Sequence, residues 1–127
     1  MFRKWDREKD YKTVKKWWAD HDFTPVQKDL LPDTCYVADE CAFACLYVEK
    51  DNRAAFMDWI VTDSSLPSMK RAKALKVLIE RITELANDSG IKFIVTLTNN
   101  VGINKLLRKC EFIETDKNLT GMVYVTK

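Results

Sequence analysis

Histidine is nearly absent from this sequence, and glycine and proline are scarce: one, three and three residues respectively among 127. The four cysteines, Cys35, Cys41, Cys45 and Cys110, form no Cys-x-x-Cys pair, and His21 is distant from all of them. Zinc sites draw on closely spaced Cys and His, so no metal site is expected. No base stands beside a cysteine to activate it as a nucleophile. Cys35, Cys41 and Cys45 lie in apolar stretches, where a free thiol behaves as a small hydrophobe, and reduced core thiols are the expectation. No apolar run approaches the roughly 20 residues of a membrane span. Met1 is followed by charges instead of the apolar stretch of a signal peptide. No repeat, low-complexity tract or Gly/Ser-rich linker interrupts the chain. One soluble, cytoplasmic domain over residues 1–127 is therefore expected.

What the chain has in quantity is apolar and charged side chains. Hydrophobic residues make up 46%, enough for a core and too many for a disordered chain. The formal net charge is +2, with both signs spread throughout. That bias suits a small anionic ligand and falls short of a dedicated nucleic-acid binder. A nucleic-acid surface would have to use the lysines near Trp17 and Trp18, where Asp6, Glu8, Asp10 and Asp20 interrupt the basic patch.

Periodicity divides the chain. Phe2–Trp5 reads as a short edge strand. Asp10 is a plausible N-cap for a helix to Ala19, on which Tyr11, Val14, Trp17 and Trp18 form one apolar stripe. Residues 21–33 carry Pro25 and Pro32 and read as loop with at most a helical turn. Thr34–Ala38, Ala42–Glu49 and Ala54–Thr62 read as an antiparallel meander, with turns at Asp39-Glu40 and Asp51-Asn52. The second and third of these strands are almost continuously apolar, which predicts that both faces are covered. Ala72, Leu75, Leu78, Ile79, Ile82, Leu85 and Ala86 then make the stripe of a long helix ended by Gly90. A strand over Ile91–Thr98, parallel to its predecessor, follows that crossover. Val101–Lys109 reads as a helix, and Glu111–Thr115 with Met122–Thr126 as a closing strand pair. The predicted fold is α/β (α+β) with a mixed central sheet, in the order β-α-βββ-α-β-α-ββ.

This order resembles the GNAT acetyltransferase superfamily over nearly the whole chain. The carrying residues are Trp59-Ile60-Val61-Thr62-Asp63, the loop and helix start from Ser64 to Ala72, Ile94–Asn100, and Leu106–Phe112. In size and layout the chain is similar to short GNAT-like proteins of phages and prophages. Three departures stand out. The family's phosphate-loop pattern, Arg/Gln-x-x-Gly-x-Gly/Ala, falls on Pro67, Lys70 and Ala72, so only Ala72 fits. The family's general-acid Tyr falls on Leu107, and the Gly of its Gly-Phe pair on Glu111.

The resemblance implies acetyl-CoA as cofactor. Backbone amides along Ile60, Val61 and Thr62 would polarise the acyl carbonyl, while Ser68, Lys70, Arg71 and Ala72 would meet the pyrophosphate. Asn99 or Asn100 would bind the pantetheine arm, and Trp18 and Phe23 would line the acceptor pocket, with one of Trp17 and Trp18 in the core. One physical oddity stands without the family. Lys70, Arg71 and Lys73 crowd the positive end of a helix dipole, at a cost of roughly 0.3–1 kcal/mol each when exposed. A bound phosphate would remove that conflict; the plain alternative is a solvated basic face capped by Ser65 or Ser68.

The chemistry would also need a base and a proton donor. Asp58 is the candidate base, a lone carboxylate in an apolar strand where burial would favour its neutral form; a solvent-facing or lysine-paired acid is the alternative. Tyr124, or Tyr47, is the candidate acid, each otherwise a core or sheet-edge residue. Three functions stay open: an N-acetyltransferase acting on a small-molecule or protein amine, a GNAT-like domain without catalysis that binds another protein, and a nucleic-acid module. No membrane partner is expected, and a homodimer is compatible with the sequence.

Overall fold

The computed structural model of the chain describes residues 1–120, 122, 124 and 126. In chain order its elements are β1 (Phe2–Lys4), α1 (Arg7–Asp20), β2 (Cys35–Ala38), β3 (Ala42–Val48), β4 (Ala54–Thr62), α2 (Ser68–Asp88), β5 (Phe93–Val95) and α3 (Val101–Lys109), with one 3-10 turn at Lys28–Leu30. The sheet order is β1-β2-β3-β4-β5, antiparallel except for the parallel β4–β5 pair reached through α2. The β2–β3 hairpin follows from its turn: Asp39 and Glu40 have φ of 51° and 50°, and the Cys41 N–H bonds to Ala38 O at 3.0 Å. Asp tolerates the left-handed conformation that such two-residue turns require, and Glu40 is carried into it by the turn.

The period-2 strands sort their side chains to two faces. On one face Leu75, Leu78, Ile79 and Ile82 of α2 pack over Ala42, Ala44, Leu46, Ala55 and Met57. The small alanines let the helix approach closely, and truncating Leu78 or Ile82 to Ala would cost about 2–5 kcal/mol. On the other face Val14, Trp17 and Trp18 of α1 meet Val37, Phe43, Cys45 and Val61. Trp18 and Trp5 both meet the Phe43 ring edge-to-face, at 5.8 and 5.5 Å.

All three helices close the same way. His21, Ser89 and Cys110 are the C-caps, and the next residue, Asp22, Gly90 or Glu111, has positive φ. The residue after it donates five positions back: Phe23 to Trp18, Ile91 to Ala86, and Phe112 to Leu107. This is the Schellman closure, which satisfies carbonyls that the helix end leaves free.

Several expectations need correction. The N-cap of α1 is Asp6, which accepts from the Glu8 and Lys9 N–H groups; Asp10 is instead drawn into an ion pair with Arg3 at 2.8 Å. Helix α2 begins without any capping side chain, after Pro67, so neither Ser65 nor Ser68 caps it. Ala72 is exposed, and Ala74 takes its place in the stripe. β3 is covered on both faces through Leu46, but Phe56, Asp58 and Trp59 of β4 are exposed, because α1 reaches only the far end of that strand. Only three residues of Ile91–Thr98 pair in the sheet. Glu111–Thr115 is no strand, since Glu111 is consumed by the α3 closure; the expected strand Met122–Thr126 lies partly outside the described residues. No helix among the described residues is long and apolar enough to cross a membrane.

Candidate active site

The site starts from an irregularity in β4. Phe43 pairs with Val61 and Cys45 with Asp58, so Trp59 and Ile60 together face Ala44 alone. This is a β-bulge, in which the extra residue leaves the ladder and bends the strand. Its signature is visible in the packing: Met57 and Ile60, three residues apart, both contribute to the α2-side core, although strict alternation would put them on opposite faces. Trp59 carries the distortion with φ of 59°, an uncommon conformation for a bulky residue. Asp58 Oδ1 accepts the Trp59 N–H at 2.8 Å, and the Trp59 indole N–H donates to the Tyr47 hydroxyl at 2.9 Å. Burial pushes the Tyr47 phenol above its ordinary pKa.

Beyond the bulge, β4 and β5 separate. They pair only over Ala54–Phe56 and Phe93–Val95, and β4 runs on to Thr62 without its neighbour. The gap opens into a cavity of about 1060 Å³, floored by residues 58–62 and walled by residues 96–100, with the start of α2 and one side of α3 completing it. The α1 closure delivers His21, Asp22 and Phe23 to one end. There the His21 and Phe23 rings stack at 5.6 Å, and His21 Nε2 donates to the Thr62 carbonyl at 2.9 Å.

Charge is unevenly placed around this cavity. Arg71, Lys105 and Lys109 line it beside α2 and α3, while Asp22 and Asp58 line the α1 side. The Arg71 N–H is the first in α2 to bond back, to Pro67 O at 3.1 Å. The Ser68, Met69 and Lys70 amides ahead of it have no protein partner among the described residues. Such free amides favour anions. Thr96 Oγ1, on a residue of the cavity wall, is buried without a hydrogen-bond partner among the described residues.

Most sequence-predicted site residues converge here. Asp58, Ile60, Val61, Thr62, Ser68, Arg71 and Ala72 line the cavity, as do Asn99, Asn100, Trp18 and Phe23. Lys70 is exposed and outside the lining, and Tyr124 is exposed and equally outside it. Tyr47 reaches the cavity only through Trp59. Asp58 is exposed, so the desolvation invoked for it is absent. Trp17 and Trp18 are both buried in the α1-side core, and of the two only Trp18 also lines the cavity. Asn100 accepts from the Ile103 N–H at 2.9 Å as the α3 N-cap. Sequence reasoning missed Trp59, Thr96, Lys105 and Lys109; the i, i+4 spacing of the two lysines, which puts them on one side of a helix, was the available signal. Among the described residues no cluster of His, Cys, Asp or Glu could hold a metal.

No protein-family model matches the sequence, and no curated protein matches it. Solved structures do match in shape. TTHA1254 from Thermus thermophilus superposes with a TM-score of 0.73 at 17% identity, covering 100% of this chain and 99% of that one. The glucosamine-6-phosphate N-acetyltransferase of Arabidopsis thaliana gives 0.60 at 12% identity, with 96% and 97% covered. The chain has a GNAT-like fold. Rv2747 from Mycobacterium tuberculosis, solved in complex with CoA, shares it at a TM-score of 0.73 and 12% identity, over 95% of this chain and 76% of that one. Within this GNAT-like fold the Gly-Phe landmark acquires a physical meaning: its Gly falls on Glu111, whose φ of 70° is the position that favours glycine.

Proposed function

We propose that the protein is an acetyl-CoA-dependent N-acetyltransferase acting on an amine acceptor. The observation that carries this reading is the cavity opened by the β4–β5 separation, which joins a bulged strand, uncapped helix amides and three cations. The residues present fit such a cofactor. Arg71, Lys105 and Lys109 with the Ser68–Lys70 amides would hold phosphates, Asn99 would meet an amide-bearing arm, and exposed Ala72 leaves room for it. Acetyl-CoA, when bound, supplies the acetyl thioester.

The chain's own groups orient and exchange protons. The β4 N–H groups between Ile60 and Thr62 that point away from β3, on the side that β5 leaves open, would polarise the acyl carbonyl. Asp58 has one carboxylate oxygen on the Trp59 amide and the other available for the acceptor ammonium, from which it takes a proton directly or through water. His21 holds its Nε2 proton on Thr62, leaving Nδ1 as the ring atom for proton exchange at the acceptor end. Phe23 and Trp59 give that end of the cavity apolar surface.

The test is calorimetric titration with CoA and acetyl-CoA, followed by thiol release with a panel of primary amines. Absence of CoA binding at millimolar concentration by folded protein rejects the reading. A second reading, a protein-binding GNAT-like domain without catalysis, is favoured by one observation: Leu107, where the resemblance places a general-acid Tyr, is a core residue only 6% exposed. It predicts CoA binding or a partner without thiol release.

A further inference from the structure

Cys35 and Cys45 are direct partners across the β2–β3 ladder. The neighbouring pair is hydrogen-bonded, since the Leu46 N–H donates to Thr34 O at 2.8 Å. Cys35 directs its carbonyl the other way, to the Trp5 N–H at 2.9 Å. Pairs alternate along an antiparallel ladder, so Cys35 and Cys45 occupy a non-hydrogen-bonded pair, the kind with the closer side chains. Both project into the α1-side core, and both are fully buried. Their Sγ atoms lie 2.6 Å apart, an approach too close for two thiols at rest and suited to a covalent bond. Cys41 belongs to the opposite, α2-side core, and Cys110 packs against that same core, so the sheet itself separates the other thiols from this pair.

We propose that Cys35 and Cys45 form a cross-strand disulfide, a modification site that ties β2 to β3. Cys45 is also the register partner of Asp58, so the tie anchors the strand against which the β4 bulge forms. The reaction is exchange with a small-molecule disulfide such as oxidised glutathione. One protein thiolate attacks that disulfide and releases a glutathione thiolate. The second protein thiolate then attacks the mixed disulfide and releases another. Two cysteine thiols are oxidised, one glutathione disulfide is reduced, and the two protons end on glutathione. Because both thiols are buried in the folded chain and burial pushes the Cys45 thiol strongly up, exchange proceeds during folding or local opening of β2.

The test uses the full chain carrying Cys41→Ser and Cys110→Ser, refolded in mixtures of oxidised and reduced glutathione. Cys35 and Cys45 share one stretch without Lys or Arg, residues 29–49, but Glu40 lies between them. Cleavage after Glu40 therefore yields two fragments that stay joined only through the disulfide. The expected result is a joined fragment pair, a loss of two hydrogens in intact mass, reversal by dithiothreitol, and a higher denaturation midpoint when oxidised. Two free, alkylatable thiols at every redox poise, or a single glutathione adduct without ring closure, would overturn the proposal. Should the double variant fail to fold, the wild-type chain is refolded and cleaved after both Glu40 and Phe43. A bridge that involves Cys41 or Cys110 in place of the Cys35–Cys45 pair then has the same overturning force.

Discussion

Gly90 and Glu111 occupy the same position, one residue past the C-cap, at the ends of α2 and α3, with φ of 77° and 70°. Only one of them is the residue that position favours. An L side chain in left-handed backbone costs on the order of 1 kcal/mol. Glu111→Gly is therefore expected to stabilise the protein by about 1 kcal/mol, and Gly90→Ala to destabilise it by a similar amount. A Cβ at Gly90 would meet nothing within 4 Å, so the second effect is conformational strain and not a clash. Urea unfolding of the two variants checks both signs.

Trp59 offers a companion case inside the sheet. Glycine in a strand ordinarily costs stability relative to alanine. At φ of 59° the order should reverse, with Trp59→Gly more stable than Trp59→Ala by about 1 kcal/mol. Both variants lose the Tyr47 hydrogen bond, so it cancels in the comparison. The normal order would mean that the bulge relaxes once the indole is gone.

The Arg3–Asp10 pair should make stability depend on acid. The Arg3 guanidinium, by its hydrogen bonds, holds the Asp10 carboxyl below its ordinary value. A group with a depressed folded-state pKa stabilises above its unfolded value and loses that contribution as pH falls through the folded one. Asp10→Asn is expected to cost on the order of 1 kcal/mol at neutral pH. The gap to wild type should close as pH drops below about 4. A gap independent of pH in denaturant titrations would exclude the ion pair as its cause.

The cations beside the cavity should act on ligand binding. Arg71→Ala, Lys105→Ala and Lys109→Ala are each expected to weaken CoA binding by about fivefold, roughly 1 kcal/mol, and to flatten its salt dependence. Lys73, exposed on α2 and outside the cavity lining, is the control. Calorimetry at two salt concentrations separates it from the other three; equal losses at all four sites would point to general charge alone.

Lys70 allows stability and binding to be set against each other. It is exposed in the first turn of α2, where a carboxylate suits the helix dipole. Lys70→Glu is expected to raise stability by about 0.3–1 kcal/mol while weakening CoA, since the new charge opposes the phosphates. Thermal unfolding and calorimetry on one sample read both, and a loss of stability would sink the dipole argument.

The sequence by itself determined the elements and their order up to α3. Periods of two and 3.6, with turn residues at Asp39-Glu40 and Gly90, are local signals that need no neighbour to act. The family resemblance, carried on the segments where strands meet helices, pointed to Ile60–Thr62, Ser68, Arg71, Ala72 and Asn99-Asn100, all of which line the cavity. Tertiary structure decided the rest. Asp10 reads locally as a cap, but Arg3 on β1 recruits it once sheet and helix meet. Asp58 reads equally as a buried or a solvent-facing carboxylate, and it is exposed because α1 packs only on the far end of β4. The bulge at Trp59 leaves no mark in an apolar run, because it depends on the register with β3. The separation of β4 from β5, which makes the cavity, is a relation between strands and not a property of either.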